Sequence, residues 1–238
     1  MNTALTPSPI QALIFDMDGL LVDSEQLGYL TMLALLEQHG CVREWEPEVV
    51  GRLFGRRLSE IMPVLVEICG ITAPVDELVA GFEELRMVAM RGNLLAFPGA
   101  AELIDYGQSV GLRLALATSG RRGYVDAVLT EIGLTGRFAI EVTGEDVARG
   151  KPAPDVYLLA AERLGVGPAR CVVLEDAPSG IASAVAAGMR AVAVANAHTR
   201  DAEFAVAPET VLPDLHAVIP WLQDQGIGGS PQSVRDRA

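Results

Sequence analysis

The chain has 238 residues, half of them hydrophobic and 5% aromatic, with 18 basic against 31 acidic side chains for a formal charge of -13. That balance describes a soluble globular protein. It argues against nucleic acid as a partner, because the acid excess repels polyphosphate backbones and few aromatic rings are available for base stacking. Of the basic residues seventeen are arginine, and the only lysine is Lys151.

Cys41, Cys69 and Cys171 are few, odd in number and without Cys-x-x-Cys spacing, so neither a disulfide framework nor a zinc site is expected, and a reducing cytoplasm fits best. The N-terminus lacks a basic start followed by a long apolar stretch, and no 18-residue apolar run occurs. No signal peptide and no membrane partner are expected. The chain is expected to be a monomer or a weak homodimer.

In chain order, Ala12–Phe15 reads as a buried parallel strand, and Leu114–Ala117, Cys171–Leu174 and Ala191–Val194 read likewise. Phe138–Ile140 is a shorter strand candidate. Helical spacing separates these runs at 101–109, 124–132, 154–164 and 181–187. Strand-helix alternation of this kind predicts an α/β fold with a doubly wound, Rossmann-like parallel sheet. Residues 25–95 break the alternation with three helical stripes, on Leu27 to Leu35, Leu58 to Ile68 and Leu78 to Ala89. They predict an inserted α-helical cap domain. The chain returns through the turn Phe97-Pro98-Gly99. The core is then 1–24 with 96–225, and the glycine- and serine-rich segment 226–238 is expected to be a disordered tail.

Ligands of an open parallel sheet bind beyond the carboxyl ends of its strands. Four polar groups stand there. Asp16 and Asp18 follow the first strand, and a period of two turns both toward one side, where they would repel each other unless a cation or a shared proton intervened. Thr118, Ser119 and Gly120 follow the second, offering hydroxyls and backbone N–H groups to an anion. Lys151 precedes a helix, where a cation opposes the dipole by about 0.3–1 kcal/mol. A compact ammonium differs from a planar guanidinium in how it approaches a phosphate oxygen, which gives a physical reason for a lone lysine. Glu175 and Asp176 close the strand from Cys171. Each group has an ordinary structural explanation by itself, as an Asp-rich turn, a helix cap or an acidic helix entry. Their common location favours one site.

With these motifs, DMDGLLVDSE at 16–25, Thr118, Lys151 in GKPAPD and EDAPSG at 175–180, the chain resembles the haloacid dehalogenase superfamily. The likeness is to its phosphatase branch with a helical cap, as in proteins similar to β-phosphoglucomutase and phosphoglycolate phosphatase. The resemblance implies a Mg²⁺-dependent phosphomonoesterase acting on a small phosphate ester, most plausibly a sugar or sugar-like phosphate. Asp16 would be the nucleophile and Asp18 the general acid and base. Mg²⁺ would be held by Asp16, Asp18 and Asp176, with Glu175 in or next to the ligand set. Thr118, Ser119, Gly120 and Lys151 would bind the phosphoryl group.

Two alternatives stand beside that reading. A β-phosphoglucomutase-type mutase would carry a histidine five residues after Asp23, where this chain has Gly28. A phosphoacceptor receiver-like signalling domain would place its acidic pair first and its acceptor aspartate later, and would lack the insertion. Substrate choice is expected to lie in the cap, where Arg52, Arg56 and Arg57 gather around glycines, with Glu25 and Arg121 as further candidates. His39, His198 and His216 have no spacing that suggests ligands and are read as structural.

Overall fold

The computed structural model describes residues 10–43, 45 and 58–228. The predicted cap residues Arg52, Arg56 and Arg57 lie outside the described residues, as does most of the predicted tail. Six strands, β1 (Ala12–Phe15), β2 (Arg113–Ala117), β3 (Ile140–Val142), β4 (Cys171–Glu175), β5 (Arg190–Val194) and β6 (Thr210–Leu212), form one sheet in the order β3-β2-β1-β4-β5-β6. Every neighbouring pair is parallel. This is the strand order of a Rossmann sheet, with the switch between its halves beside β1.

Alternation along each strand divides the core into two layers. Leu13 and Phe15 face a layer built from α4 (Ala100–Ser109), α5 (Arg122–Glu131) and α8 (Val218–Asp224), while Ala12 and Ile14 face α6 (Asp155–Leu164) and α7 (Pro178–Ala186). All four residues of β1 are fully buried. That burial on both faces is why these strands are continuous apolar runs instead of alternating ones.

Between β1 and β2 the chain forms α1 (Glu25–Gln38), α2 (Leu58–Cys69) and α3 (Val75–Met90). These helices have small cores of their own, one on Leu35, Met62, Leu78 and Phe82, another on Leu36, Ile61 and Leu65. The two strands of chain that connect them to the sheet run side by side. Val22 bridges Ala96 in antiparallel fashion, and the Phe97 amide donates to Leu21 O at 2.9 Å. Gly99 then starts α4 at φ 91°, a left-handed conformation that glycine adopts without steric cost.

The structure departs from the expectations at four places. The strand expected at Phe138–Ile140 begins only at Ile140, because the Phe138 ring is needed in the core against Phe15, 5.5 Å between centroids. Neither the three-residue edge strand β6 nor the seven-residue α8 was anticipated, since runs this short carry little periodicity. Ile227, inside the expected tail, packs on the core and accepts a hydrogen bond from Tyr106 Oη at 2.7 Å. The cysteine expectation also fails, for Cys41 and Cys69 form a disulfide. Cys69 closes α2 and Cys41 follows α1, and the packing of the two helices brings their Cα atoms to 5.4 Å despite a separation of 28 in sequence. Such a bridge persists in oxidising surroundings, so the cysteines lend no support to a reducing compartment. Among the described residues no helix is long and apolar enough to cross a membrane.

Candidate active site

The carboxyl ends of β1, β2 and β4 converge beneath the helical insertion, and a cavity of about 460 Å³ lies between them. Asp16 leaves the end of β1 nearly buried. Lys151 is 2% exposed, and its Nζ donates to Asp16 Oδ1 at 2.5 Å and to Glu175 Oε1 at 2.7 Å. Burial works against the ammonium charge, but Asp16 and Glu175 outweigh it and hold the lysine pKa well above its ordinary value. The dipole penalty expected at this position is therefore answered by two carboxylates.

Glu175 is saturated. Its Oε1 accepts from Lys151 and, at 3.0 Å, from Tyr157 Oη, while its Oε2 accepts from the backbone amides of Asp176 and Ala177, each at 2.9 Å. Four donors fill the lone pairs of a carboxylate, so this side chain positions Lys151 and the turn after β4. The turn has no spare room. A methyl at Gly180 would stand 1.5 Å from Glu175 Oε1, and one at Gly19, where φ is +82°, would stand 2.2 Å from Asp176 Oδ2.

Asp176 is held by one oxygen only. Asn196 Nδ2 donates to its Oδ2 at 2.8 Å and also to Gly19 O at 2.8 Å, while Oδ1 is buried with no hydrogen-bond partner. Asp16, Glu175 and Asp176 each offer an oxygen, all within 4.8 Å of one another. Burial, together with Glu175 and Asp16, pushes the Asp176 pKa well up. Asp16 is pushed up to about 7 by burial above all, with Glu175 and Asp18 adding to it and Lys151 opposing. Three buried carboxylates with one lysine and an orphaned oxygen are short of positive charge. Hard oxygen donors of this kind suit a hard divalent cation.

Asp18 also lines the cavity. Ser24 Oγ and Tyr124 Oη both donate to its Oδ1. Burial and the Asp18 charge raise the Tyr124 pKa, keeping the phenol protonated as a donor. Thr118 is buried at the end of β2, and its Oγ1 accepts from the Gly120 amide at 3.1 Å, which shapes the turn through Ser119 and Gly120 along the cavity wall.

Residues 13–194 match the family profile of the haloacid dehalogenase-like hydrolases. The chain belongs to that family. Among its relatives, Protein CbbY of Rhodobacter capsulatus is 35% identical over 219 residues, covering 87% of this chain and 95% of that protein. The phosphorylated carbohydrates phosphatase of Thermotoga maritima is 33% identical over 180 residues, covering 76% and 82%. A solved structure of a CbbY mutant from Rhodobacter sphaeroides, in complex with xylulose-(1,5)bisphosphate, superposes with a TM-score of 0.78 at 28% identity, covering 87% of this chain and 95% of that one.

Within this haloacid dehalogenase-like site the structure brings together Asp16, Asp18, Thr118, Ser119, Gly120, Lys151, Glu175 and Asp176. Glu25 also reaches the cavity. It is buried, its Oε2 has no hydrogen-bond partner, and His198 Nδ1 stands 3.8 Å away. Burial first, then Asp18, Asp23 and Glu175, push its pKa up to about 7. Arg121 lines the cavity but is bonded to Glu83 and Glu145, both at 3.0 Å. Sequence reasoning missed Ser24, Tyr124, Tyr157, Asn196 and Arg86. Asn196 stands two residues beyond β5, and the rule that singles out strand ends would have found it. Tyr124 and Tyr157 were absorbed into apolar helical stripes, where a hydroxyl gives no periodic signal.

Proposed function

We propose that this enzyme hydrolyses a small phosphorylated sugar or sugar-like metabolite through an aspartyl-phosphate, with Mg²⁺ as cofactor. It is a phosphomonoesterase of the haloacid dehalogenase-like family; the metal, the intermediate and the substrate class are our reading. The observation that carries it is the pairing of Lys151 with Asp16 and Glu175 beside the unpartnered Asp176 oxygen.

Lys151 engages Oδ1 of Asp16 and leaves Oδ2 to attack phosphorus. As the new P–O bond forms, the ester P–O bond breaks and Asp18 gives its proton to the departing alkoxide. A water molecule then attacks the aspartyl-phosphate, Asp18 takes its proton, and the P–O bond to Asp16 breaks to release inorganic phosphate. Ser24 and Tyr124 hold Asp18 in place for both transfers. Thr118, Ser119 and Gly120 bind the phosphoryl oxygens with Lys151, which offsets their developing charge. Asp16, the backbone carbonyl of Asp18 and Asp176 would hold Mg²⁺, which when bound neutralises carboxylate and phosphoryl charge. Glu175 acts from behind, through Lys151.

We read residues 1–24 and 96–225 as the catalytic core and 25–95 as the cap that shields the site. The carbohydrate phosphatase and the bisphosphate-bound CbbY structure support a sugar phosphate as substrate. Gly28 supports hydrolysis over mutation. It lines the cavity with open space where a side chain would stand, so the histidine of the mutases has no replacement there. The test is free phosphate release from a panel of metabolite phosphates in Mg²⁺ buffer. Asp16→Asn is expected to abolish turnover and EDTA to stop it reversibly; full activity in either condition removes this mechanism.

A further inference from the structure

Two arginines among the described residues line the cavity, and they are committed differently. Arg121 has its charge matched by Glu83 and Glu145. Arg86, on α3 of the insertion, has no carboxylate partner among the described residues. Its Cζ lies 3.4 Å from the centroid of the Tyr124 ring and 5.1 Å from that of Phe82, and its Nε is buried without a hydrogen-bond partner. Aromatic faces hold a guanidinium in orientation, but they replace only part of what water or a counter-anion supplies. In a chain of charge -13, with carboxylates throughout the cavity, a guanidinium without a carboxylate partner suits an anion brought by the ligand.

Its location says which part of the ligand. The tyrosine beneath Arg86 donates its hydroxyl to Asp18, the proposed acid for the leaving oxygen, whereas Lys151 is bonded to the nucleophile Asp16 and to Glu175. Arg86 is thus on the leaving-group side. We propose that Arg86 binds a second anionic group, carried by the leaving group, and so selects doubly charged phosphate esters. The inference rests on the phosphatase reading. A guanidinium fork meets a phosphate or a carboxylate through two parallel hydrogen bonds, a geometry that lysine does not reproduce.

The test uses the full chain and phosphate esters paired by the presence or absence of a second anion. Pentulose and hexulose bisphosphates are set against their monophosphates, phosphosugar acids against the parent sugar phosphates, and p-nitrophenyl phosphate serves as the common reference. The wild type is expected to prefer at least one doubly charged ester by ten-fold or more in kcat/KM, and the paired arms tell phosphate from carboxylate. Arg86→Met is expected to erase that preference through KM, with Arg86→Lys restoring part of it. If Arg86 only props Tyr124, the variant lowers kcat equally for every ester and the proposal fails. Arg86→Gln, similar in length and uncharged, carries the comparison if the methionine variant does not fold. Turnover without any preference for a second anion overturns the Arg86 anchor alone, whereas no phosphate release from any ester overturns the phosphatase reading as well.

Discussion

Replacing Lys151 by methionine removes the one buried cation from a cluster of buried acids. Lys151 is 2% exposed and bonds Asp16 and Glu175 at 2.5 and 2.7 Å, so solvent does not screen the loss. Breaking a buried pair by deleting one partner costs about 3–5 kcal/mol, because the remaining charge stays buried. We expect Lys151→Met to lose that much unfolding free energy at pH 7.5 in metal-free buffer, read by denaturant titration. The loss should depend on pH in a defined direction. Asp16 already has a folded pKa of about 7 against an ordinary 3.8, and without Lys151 it rises further. A carboxylate whose folded pKa exceeds its unfolded one binds more protons in the folded state, so stability rises as pH falls through the folded pKa. The variant should therefore recover part of its deficit between pH 7.5 and 5.5. A deficit below about 1 kcal/mol, the scale of an exposed pair, or one unchanged across that range, would refute the charge argument.

Three further outcomes follow from the geometry. Gly180→Ala forces a methyl against Glu175 Oε1, so the glutamate must move and release Lys151; we expect about 1–3 kcal/mol of destabilisation from overpacking and a large loss of kcat, and wild-type kinetics would contradict it. Tyr124→Phe removes one of two hydroxyl donors to Asp18, and since hydrogen bonds to charged groups contribute about 1.5–3 kcal/mol, kcat should fall by roughly ten-fold or more across all substrates, measured at saturating ester. Asp146 is raised by burial but pulled down further, to about 2, by the Thr143 amide and hydroxyl and by Arg163. A depressed carboxylate adds stability above its unfolded pKa that is lost as pH falls through the folded one, so the deficit of Asp146→Asn should shrink from pH 4 toward 2 in thermal melts.

Much of this site was legible in the sequence because its parts sit at strand ends, where apolar runs mark the strands and the next residues are polar. Asp16, Thr118 and Glu175 could be placed that way without any coordinates. What the sequence concealed was how the parts share work. Nothing in the run Glu175-Asp176 distinguishes a carboxylate filled by four donors from a neighbour with a bare oxygen, since that difference arises from Tyr157, Lys151 and Asn196 arriving from distant elements. The cap arginines suggested by charge density, Arg52, Arg56 and Arg57, lie outside the described residues, and charge density did not point to Arg86. Arg86 lies on an ordinary helical stripe, and only the tertiary contact with Tyr124 marks it. The disulfide was invisible for the same reason, because Cys41 and Cys69 approach through helix packing.

The sheet's first strand in the chain is also an inner one, flanked by β2 and β4. During synthesis, then, β1 leaves the ribosome with both edges bare and both faces apolar, and its second neighbour appears only when residues 171–175 follow. Asp16 waits almost as long for its cation, which lies 135 residues downstream. Such non-local pairing makes assembly slow and leaves an apolar strand without partners in the growing chain. The reactive carboxylate is thus among the earliest residues made, and the fold completes its surroundings only after about three quarters of the chain has emerged, so a nascent fragment ending before Asp176 would present the nucleophile without the site.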